Sequence, residues 1–118
     1  MTKILAVEDE ALVRLLVVEA LETAGYEVLE APDGEEALSI LRNTPDIALI
    51  VSDVRMPRLN GYALALAARQ MRPEIGLLLM TGYSEASRPA GLASVTVLNK
   101  PFDPDRLVDM VGKIVSQT

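Results

Sequence analysis

The sequence contains no cysteine, no histidine and no tryptophan, and aromatic residues make up only 3% of it. Without cysteine the chain cannot form disulfides, thiolate metal sites or a cysteine nucleophile. Without histidine it lacks the usual proton carrier near neutral pH and the most common ligand of transition metals. Hydrolases with a Ser-His-Asp triad and histidine-ligated zinc sites are therefore excluded. The scarcity of aromatic rings also argues against a surface that stacks nucleic-acid bases.

Basic residues and long apolar runs are scarce as well. Eleven Lys and Arg stand against 17 Asp and Glu, and the formal net charge is -6. Because the basic residues are scattered rather than clustered, we expect no direct binding to nucleic acid. Apolar runs such as 48–51 and 77–80 are far shorter than the ~20 residues that span a bilayer, and Glu8 comes too early for a signal peptide. We therefore expect a cytoplasmic protein without membrane association.

The length and composition predict one domain covering residues 1–118. The chain has 118 residues, of which 50% are hydrophobic and 24% charged. A chain of this size should bury more than ~60% of its unfolded surface, so it needs neither disulfides nor a structural metal. No linker, repeat or low-complexity tract divides it, and it is too short for two ordinary domains.

Short aliphatic runs alternate five times with longer amphipathic stretches, which predicts α/β architecture with a doubly wound, five-stranded parallel sheet. The third and fourth runs are almost continuously apolar, as is typical of central strands covered on both faces. The predicted strands are 3–7, 27–31, 47–52, 76–80 and 94–98. The predicted helices are about 10–24, 33 or 34 to 43, 61–71, and a last one that begins at Asp103-Pro104 and continues through Ile114.

Two of the helical segments carry more specific predictions. In the first helix the i, i+4 spacing predicts an inward stripe of Leu12, Leu16, Ala20 and Ala24, with Gly25 ending the helix. Leu15 and Val18 fall outside that stripe and are expected to be exposed. The segment 84–91, by contrast, contains poor helix formers, a proline and a glycine, so we expect a short or irregular fourth helix there.

Polar side chains follow four of the five predicted strands. Glu8-Asp9-Glu10 follows the first, Asp53 the third, Thr81 the fourth and Lys100 the fifth. Ligands of doubly wound sheets bind at the carboxyl ends of the strands, so we expect these side chains to converge. Clustered carboxylates favour a hard divalent cation, Mg²⁺, and a carboxylate beside that cation can accept a phosphoryl group. A lysine and a hydroxyl supply the remaining charge neutralisation and positioning.

Each of these features also has an ordinary structural explanation. Glu8-Asp9 can complement a helix dipole, Asp53 can cap a helix, and Lys100 can be a solvated surface lysine. Thr81-Gly82 can simply turn the chain. Their joint occurrence at four strand ends nevertheless favours one shared site.

The motifs together resemble the receiver domain of two-component response regulators, over the whole length of the chain. The matching segments are Val7-Glu8-Asp9-Glu10, Asp53-Val54-Arg55-Met56-Pro57 followed by Gly61, Met80-Thr81-Gly82 and Lys100-Pro101-Phe102. The resemblance implies a CheY-like sheet of strand order 2-1-3-4-5 and a phosphoacceptor role for Asp53.

The same resemblance implies how the other site residues act. Mg²⁺ would be held by Glu8, Asp9, Asp53 and the backbone carbonyl of Arg55. Thr81 would donate its hydroxyl to the phosphoryl group, and Lys100 would pair with it. The family also implies a cis peptide bond at Lys100-Pro101, which proline makes less costly.

The sequence departs from the family pattern on one face. Receivers usually carry Tyr or Phe three residues before the lysine, where this chain has Val97. The stretch from Thr81 to Lys100 is also shorter than usual by roughly one helical turn of 3.6 residues. We therefore hypothesise that signalling relies on ordering of the segment 84–91. Tyr83 and Arg55 occupy positions that tune water access to the phosphoryl group in relatives, or they are ordinary rim residues.

The function predicted from the sequence is that of a signalling phosphoacceptor rather than an enzyme, with self-phosphorylation and slow autodephosphorylation only. Its expected partners are a histidine kinase or histidine phosphotransfer protein, and an output domain or partner protein. The exposed aliphatic residues of the first helix favour partner docking over a weak homodimer. A stand-alone regulator, a phosphate shuttle and a piece of a longer regulator or hybrid kinase stay open. The alternatives are a pseudo-receiver that is not phosphorylated and, with little support, a flavodoxin-like cofactor binder.

Overall fold

The structure is a computed structural model that describes residues 1–82 and 88–116. Its strands are β1 (Lys3–Val7), β2 (Glu27–Ala31), β3 (Ile47–Asp53), β4 (Gly76–Thr81) and β5 (Thr96–Asn99). Its α-helices, within the described residues, are α1 (Ala11–Thr23), α2 (Gly34–Asn43), α3 (Gly61–Met71) and α4 (Pro104–Ser116). The element order is therefore the alternation that the sequence predicts. None of the helices in these two ranges combines the length and apolar character required to cross a membrane.

All five strands form one parallel sheet of order β2-β1-β3-β4-β5, which confirms the predicted topology. β3 and β4 each extend one residue further than predicted and so include Asp53 and Thr81 as their last residues. β5 begins at Thr96, two residues after the predicted start. Four strands thus bring the predicted polar residues to their ends: β3 and β4 end in Asp53 and Thr81, and β1 and β5 end immediately before Glu8 and Lys100.

Apolar side chains cover the sheet on both faces, as a doubly wound fold requires. On one face α2 and α3 bury residues such as Leu41 and Leu64 against Leu5, Ile50 and Leu79. On the other face α1 and α4 bury Val17, Leu21, Leu107 and Val111 against residues of β1, β3 and β4. β3 and β4 are buried from both sides, which explains their nearly unbroken apolar sequence.

Local sequence signals account for the starts of α2 and α3 and for the end of α1. The Asp33 side chain accepts a hydrogen bond from the Glu36 N–H at 2.8 Å, and Asn60 accepts one from the Ala63 N–H at 2.9 Å. These caps satisfy donors that the first turn of a helix leaves unpaired. Gly25 follows α1 with a φ of 99°, a left-handed conformation that glycine adopts without strain.

The predicted inward face of α1 is wrong except at Ala20, which packs, partly buried, against the core. Leu12 and Leu16 are 77% and 56% exposed, whereas Val17, Val18 and Leu21 are buried against the sheet. Val18 is therefore not a surface residue, although Leu15 is exposed as predicted. The cause lies in the sequence: apart from Arg14 and Glu19, every position from 11 to 21 is apolar, so two stripes satisfy the helical period. Packing against the sheet selects the stripe that contains Val17, Val18 and Leu21.

The connection between β4 and β5 contains a single 3-10 turn, Ala90–Leu92, within the residues 88–95 that the structure describes. Leu92 and Val95 bury their side chains under it, and the Arg69 guanidinium donates to the Gly91 carbonyl at 2.8 Å. The described part thus agrees with the prediction of a short or irregular fourth helix. The remainder of that predicted segment, 84–87, and Tyr83 lie outside the described residues.

Candidate functional site

Asp53 lies at the carboxyl end of β3 and is almost fully buried. The chain behind it is held tightly, because the Val54 N–H donates to the Met80 carbonyl and the Gly61 N–H donates to the Val54 carbonyl, both at 2.9 Å. A Cβ atom at position 61 would collide with the Asp53 carbonyl oxygen. Glycine at position 61 therefore lets the start of α3 pack directly against the residue that presents the carboxylate.

Glu8 and Asp9 bring two further carboxylates to the same edge from the end of β1. Glu8 is buried, Asp9 is exposed, and oxygen atoms of Glu8, Asp9 and Asp53 lie within 4.8 Å of one another. The Glu8 carboxylate accepts a hydrogen bond from the Glu10 N–H at 3.1 Å. The two acidic positions predicted from the first strand and the one predicted from the third thus form one cluster.

Lys100 joins this cluster from the end of β5. Its Nζ lies 2.7 Å from Glu8 Oε1 and 3.3 Å from Asp53 Oδ2. The Lys100 N–H also donates to the Thr81 carbonyl at 2.8 Å, and the peptide bond between Lys100 and Pro101 is cis, as the resemblance implies. One ammonium therefore bridges carboxylates from two different strands.

Thr81 and Arg55 complete the predicted set. Thr81 is the last residue of β4, is buried, and follows Met80, the residue paired with Asp53 in the sheet. The Arg55 side chain is exposed, and Arg55 lies with Asp9, Asn60 and Tyr62 along a polar groove next to the acidic cluster. All predicted site residues thus lie at the carboxyl-terminal edge of the sheet.

Burial dominates the electrostatics of this cluster. It raises the pKa of the Glu8 carboxyl above its ordinary value, and the nearby Asp53 charge adds to the rise, while hydrogen bonds from Lys100 and Glu10 oppose it. For Lys100, burial acts to lower the pKa, but the hydrogen bond to Glu8 and the attraction of Asp53 and Glu8 outweigh it, so the pKa of Lys100 is raised. Lys100 is therefore an ammonium at neutral pH.

The donor set fits a hard divalent cation. With Lys100 charged, the three carboxylates Glu8, Asp9 and Asp53 exceed the positive charge of the cluster. Mg²⁺ and Ca²⁺ prefer such oxygen donors. In chemical terms the arrangement combines a cluster of carboxylates that could bind a cation, a buried carboxylate and a lysine beside both.

The departures noted in the sequence have a clear structural setting. Val97 lies in β5 opposite Leu79 and packs, partly buried, against the core on the α2 and α3 side. A β-branched side chain in this place has no ring to exchange between the interior and the surface. The proposed ordering of 84–91 and the proposed role of Tyr83 fall wholly or partly outside the described residues.

Arg14 was not among the predicted site residues, although it contacts the backbone of the cluster. Its Nη1 donates to the Glu8 carbonyl oxygen at 2.7 Å. The available signal was that Arg14 is the single basic residue of α1, placed within an otherwise aliphatic stretch. Hydrophobic periodicity treats such a residue as a solvent-facing one and does not locate its partner.

Comparison with known proteins decides the family. The model of the response regulator receiver domain matches residues 4–112. This chain belongs to the response regulator receiver domain family. The receiver is similar to the response regulator receiver protein CpdR of Brucella abortus, with 33% identity over 98% of this chain and 98% of that protein. The predicted family is therefore confirmed, and a flavodoxin-like cofactor binder is not supported.

Two further matches place this receiver among its relatives. It is 38% identical, over 96% of its length, to the probable transcriptional regulator ycf27 of Porphyridium aerugineum, and it spans 48% of that protein. It also matches the response regulator TrrA of Thermotoga maritima, solved in complex with Mg²⁺-BeF, with 33% identity, a TM-score of 0.88 and coverage of 97% and 99% of the two chains. The chain thus spans the whole of some relatives and about half of others.

Proposed function

We propose that this receiver accepts a phosphoryl group on Asp53 in a Mg²⁺-dependent reaction and signals through altered protein contacts. The observation that carries the proposal is the position of Lys100 Nζ, 2.7 Å from Glu8 and 3.3 Å from Asp53, beside three clustered carboxylates. The Glu8 and Asp53 side chains are only 1% and 10% exposed, so this group is not a solvated surface ion pair. A site that neutralises an incoming phosphoryl group needs such a lysine beside the buried carboxylate.

The proposed transfer runs from a phosphohistidine of the donor to Asp53. A carboxylate oxygen of Asp53 attacks phosphorus, the P–N bond breaks, and the imidazole nitrogen leaves with the bonding electron pair and takes a proton from solvent. The product is an aspartyl phosphate on this chain and a neutral histidine on the donor. Such transfers depend mainly on positioning and on charge stabilisation around the phosphoryl oxygens.

Individual residues have separate tasks in this proposal. Glu8, Asp9, Asp53 and the Arg55 carbonyl hold Mg²⁺, which would offset the negative charge of the phosphoryl oxygens. Lys100 supplies one positive charge next to Asp53, and the Thr81 hydroxyl donates to a phosphoryl oxygen after transfer. The Mg²⁺-BeF complex of the similar protein TrrA supports the choice of ion.

The proposed phosphodonor is a histidine kinase or a histidine phosphotransfer protein that docks on α1. The exposed side chains of Leu12, Leu15 and Leu16 support this surface, and it differs from the predicted patch because Val18 is buried. In the proposal Leu15→Lys slows transfer from the protein donor and leaves transfer from acetyl phosphate unchanged. Equal rates with the protein donor for Leu15→Lys and the wild type would remove α1 from the docking surface.

The remaining predictions form part of the same proposal. Residues 1–118 act as one receiver domain. The signal passes to an output domain or to a partner protein. The length of ycf27, about twice that of this chain, supports an output domain. Turnover is limited to self-phosphorylation and slow autodephosphorylation. A cytoplasmic location, the absence of nucleic-acid and membrane binding, and a weak homodimer stay predictions.

The decisive experiment is incubation with Mg²⁺ and acetyl phosphate, followed by mass measurement of the intact protein. We expect the wild type and the control Asp46→Asn to gain one phosphoryl group, because Asp46 lies at the opposite edge of the sheet, where it pairs with Lys3. Asp53→Asn should gain none, and chelation of Mg²⁺ should prevent the gain in the wild type. A wild type that stays unmodified with acetyl phosphate and with phosphorylated donors would instead indicate a pseudo-receiver.

A further inference from the structure

The loop that carries Glu8 and Asp9 is tied to the end of β2 at two points. The Glu8 N–H donates to the carbonyl of Ala31, the last residue of β2, at 3.2 Å. The Glu8 carbonyl oxygen accepts from Arg14 Nη1 at 2.7 Å, and Arg14 Nε lies 3.0 Å from Glu30 Oε1, so the second tie also ends on β2. Both backbone groups of Glu8 are thus anchored to the final two residues of one strand.

These bonds restrain the backbone from which the two acidic side chains project. The carbonyl of Glu8 belongs to the planar peptide group that joins Glu8 to Asp9. A hydrogen bond to that oxygen therefore restrains the orientation of this peptide plane, which also contains the Cα atom of Asp9. The guanidinium makes its two bonds through different nitrogens of one rigid, planar group, which a lysine ammonium does not reproduce. Arg14 therefore restrains the loop without pointing its charge at a carboxylate of the cluster.

We propose that Arg14 is a positioning residue for the cation site, acting through the Glu8–Asp9 peptide group, and that Glu30 holds Arg14 in place. The proposal rests on the proposed Mg²⁺ site. It makes a prediction opposite to that of simple electrostatics. Removing a positive charge near three carboxylates should strengthen cation binding by Coulomb's law, whereas loss of the restraint should weaken it.

The test measures Mg²⁺ binding by isothermal titration calorimetry, together with the unfolding midpoint in the absence of Mg²⁺. We expect Arg14→Gln to weaken Mg²⁺ binding about tenfold, at the lower end of the effect of losing an outer partner of a metal site. Glu30→Gln should cause a smaller loss, because Arg14 keeps its bond to the carbonyl. Arg14→Lys should restore part of the affinity, and Arg14→Gln combined with Glu30→Gln should be no weaker than Arg14→Gln alone.

Lys3→Gln provides a matched control. The Lys3 side chain has the same 20% exposure as that of Arg14 and is also ion-paired, to Asp46 at 2.8 Å, but it lies at the other end of β1. It should leave Mg²⁺ affinity unchanged. Amide hydrogen exchange at Glu8 offers a measurement without metal: we expect faster exchange of the Glu8 N–H in Arg14→Gln and no change in Lys3→Gln.

The outcomes separate this inference from the proposed function. If the wild type itself binds no Mg²⁺, the proposed function is wrong. If the wild type binds Mg²⁺ and Arg14→Gln binds it equally well or more tightly, the positioning role is wrong while the function stands. A lowered unfolding midpoint with unchanged Mg²⁺ affinity would make Arg14 a residue of stability alone, which also contradicts the proposal.

Discussion

The sheet carries a cluster of charged residues at each end of its parallel strands, and each cluster contains one lysine paired with two carboxylates. Lys3 approaches Glu27 and Asp46 at 3.7 and 2.8 Å, and Lys100 approaches Glu8 and Asp53 at 2.7 and 3.3 Å. Distances alone do not distinguish them. Burial does, because the carboxylates paired with Lys3 are 52% and 65% exposed, whereas those paired with Lys100 are 1% and 10% exposed.

The comparison shows which ion pairs carry chemical information. An exposed pair is well solvated whether it forms or not, so it contributes little to stability. Buried carboxylates lose their hydration, and their charge must be offset by a partner of the protein or by a bound ion. The group around Lys100 also adjoins Asp9, which leaves it with excess negative charge. That excess favours binding of a divalent cation, whose charge would in turn offset that of a phosphoryl group.

The largest expected difference between the groups concerns removal of the lysine. Lys100→Met should lower the free energy of unfolding by about 3 kcal/mol, because it leaves the buried carboxylates of Glu8 and Asp53 without their cation. Breaking a buried ion pair costs about 3 to 5 kcal/mol, and we expect the lower value because the Lys100 side chain is 25% exposed. Lys3→Met should leave the midpoint of urea unfolding almost unchanged. Equal midpoints for the two variants would show that burial does not separate the groups.

A second difference concerns stabilisation by Mg²⁺. At ten times its dissociation constant, Mg²⁺ should raise the free energy of unfolding of the wild type by about 1.4 kcal/mol, since it binds the folded form alone. Asp9→Asn should abolish most of this gain, and Asp46→Asn should retain it. Thermal unfolding with and without Mg²⁺ measures both, and equal gains in the two variants would place the cation elsewhere.

The pH dependence should have opposite signs in the two groups. Burial raises the pKa of Glu8 above 4.5, so the folded state binds the proton more tightly and stability falls as the pH rises above that value. Glu8→Gln should therefore become increasingly more stable than the wild type as the pH rises through this window. The hydrogen bond from Lys3 lowers the pKa of Asp46 below 3.8, so its contribution is present above pH 3.8 and is lost on acidification.

Urea unfolding at a series of pH values measures these differences, with Asp46→Asn as the matched variant. Its deficit relative to the wild type should shrink as the pH falls below 3.8. An advantage of Glu8→Gln that shrinks as the pH rises from 4.5 would contradict the raised pKa of Glu8.

The smallest expected effect is that of salt. Raising the ionic strength from 0.1 to 1 M shortens the screening length from about 10 to about 3 Å. The residual effect of Lys3→Met should disappear in high salt, whereas most of the effect of Lys100→Met should persist because its partners are buried. Chemical unfolding in urea at the two ionic strengths measures this, and equal salt sensitivity would contradict the assigned difference in screening.

The sequence pattern predicts the doubly wound sheet and the convergence of the site, because both follow from strand positions, whereas the strand order is implied by the resemblance to the receiver family. Glu8, Asp53, Thr81 and Lys100 stand at or just after strand ends, and parallel strands bring such positions to one edge. Patterns along the chain suffice for this because topology leaves few alternatives.

Features that depend on packing were less predictable. The inward face of α1 was misassigned because almost every residue there is apolar, and only contact with the sheet distinguishes Val18 from Leu16. The contacts of Arg14 are not predictable from the sequence, because its acceptors, the Glu8 carbonyl and Glu30, become neighbours only when β1 and β2 pair. The burial and the partners of such residues depend on contacts between secondary-structure elements rather than on the neighbouring sequence.

The ion pair between Lys100 and Glu8 joins residues 92 positions apart in the chain. During synthesis the acidic residues leave the ribosome long before the lysine that balances them, so a nascent chain that has completed β3 lacks the counterion of its own pocket. A polypeptide cut between β4 and β5 would divide the pocket in the same way. Phosphorylation of Asp53 in a mixture of the two pieces would then report their reassociation, since neither piece contains both the carboxylates and the lysine.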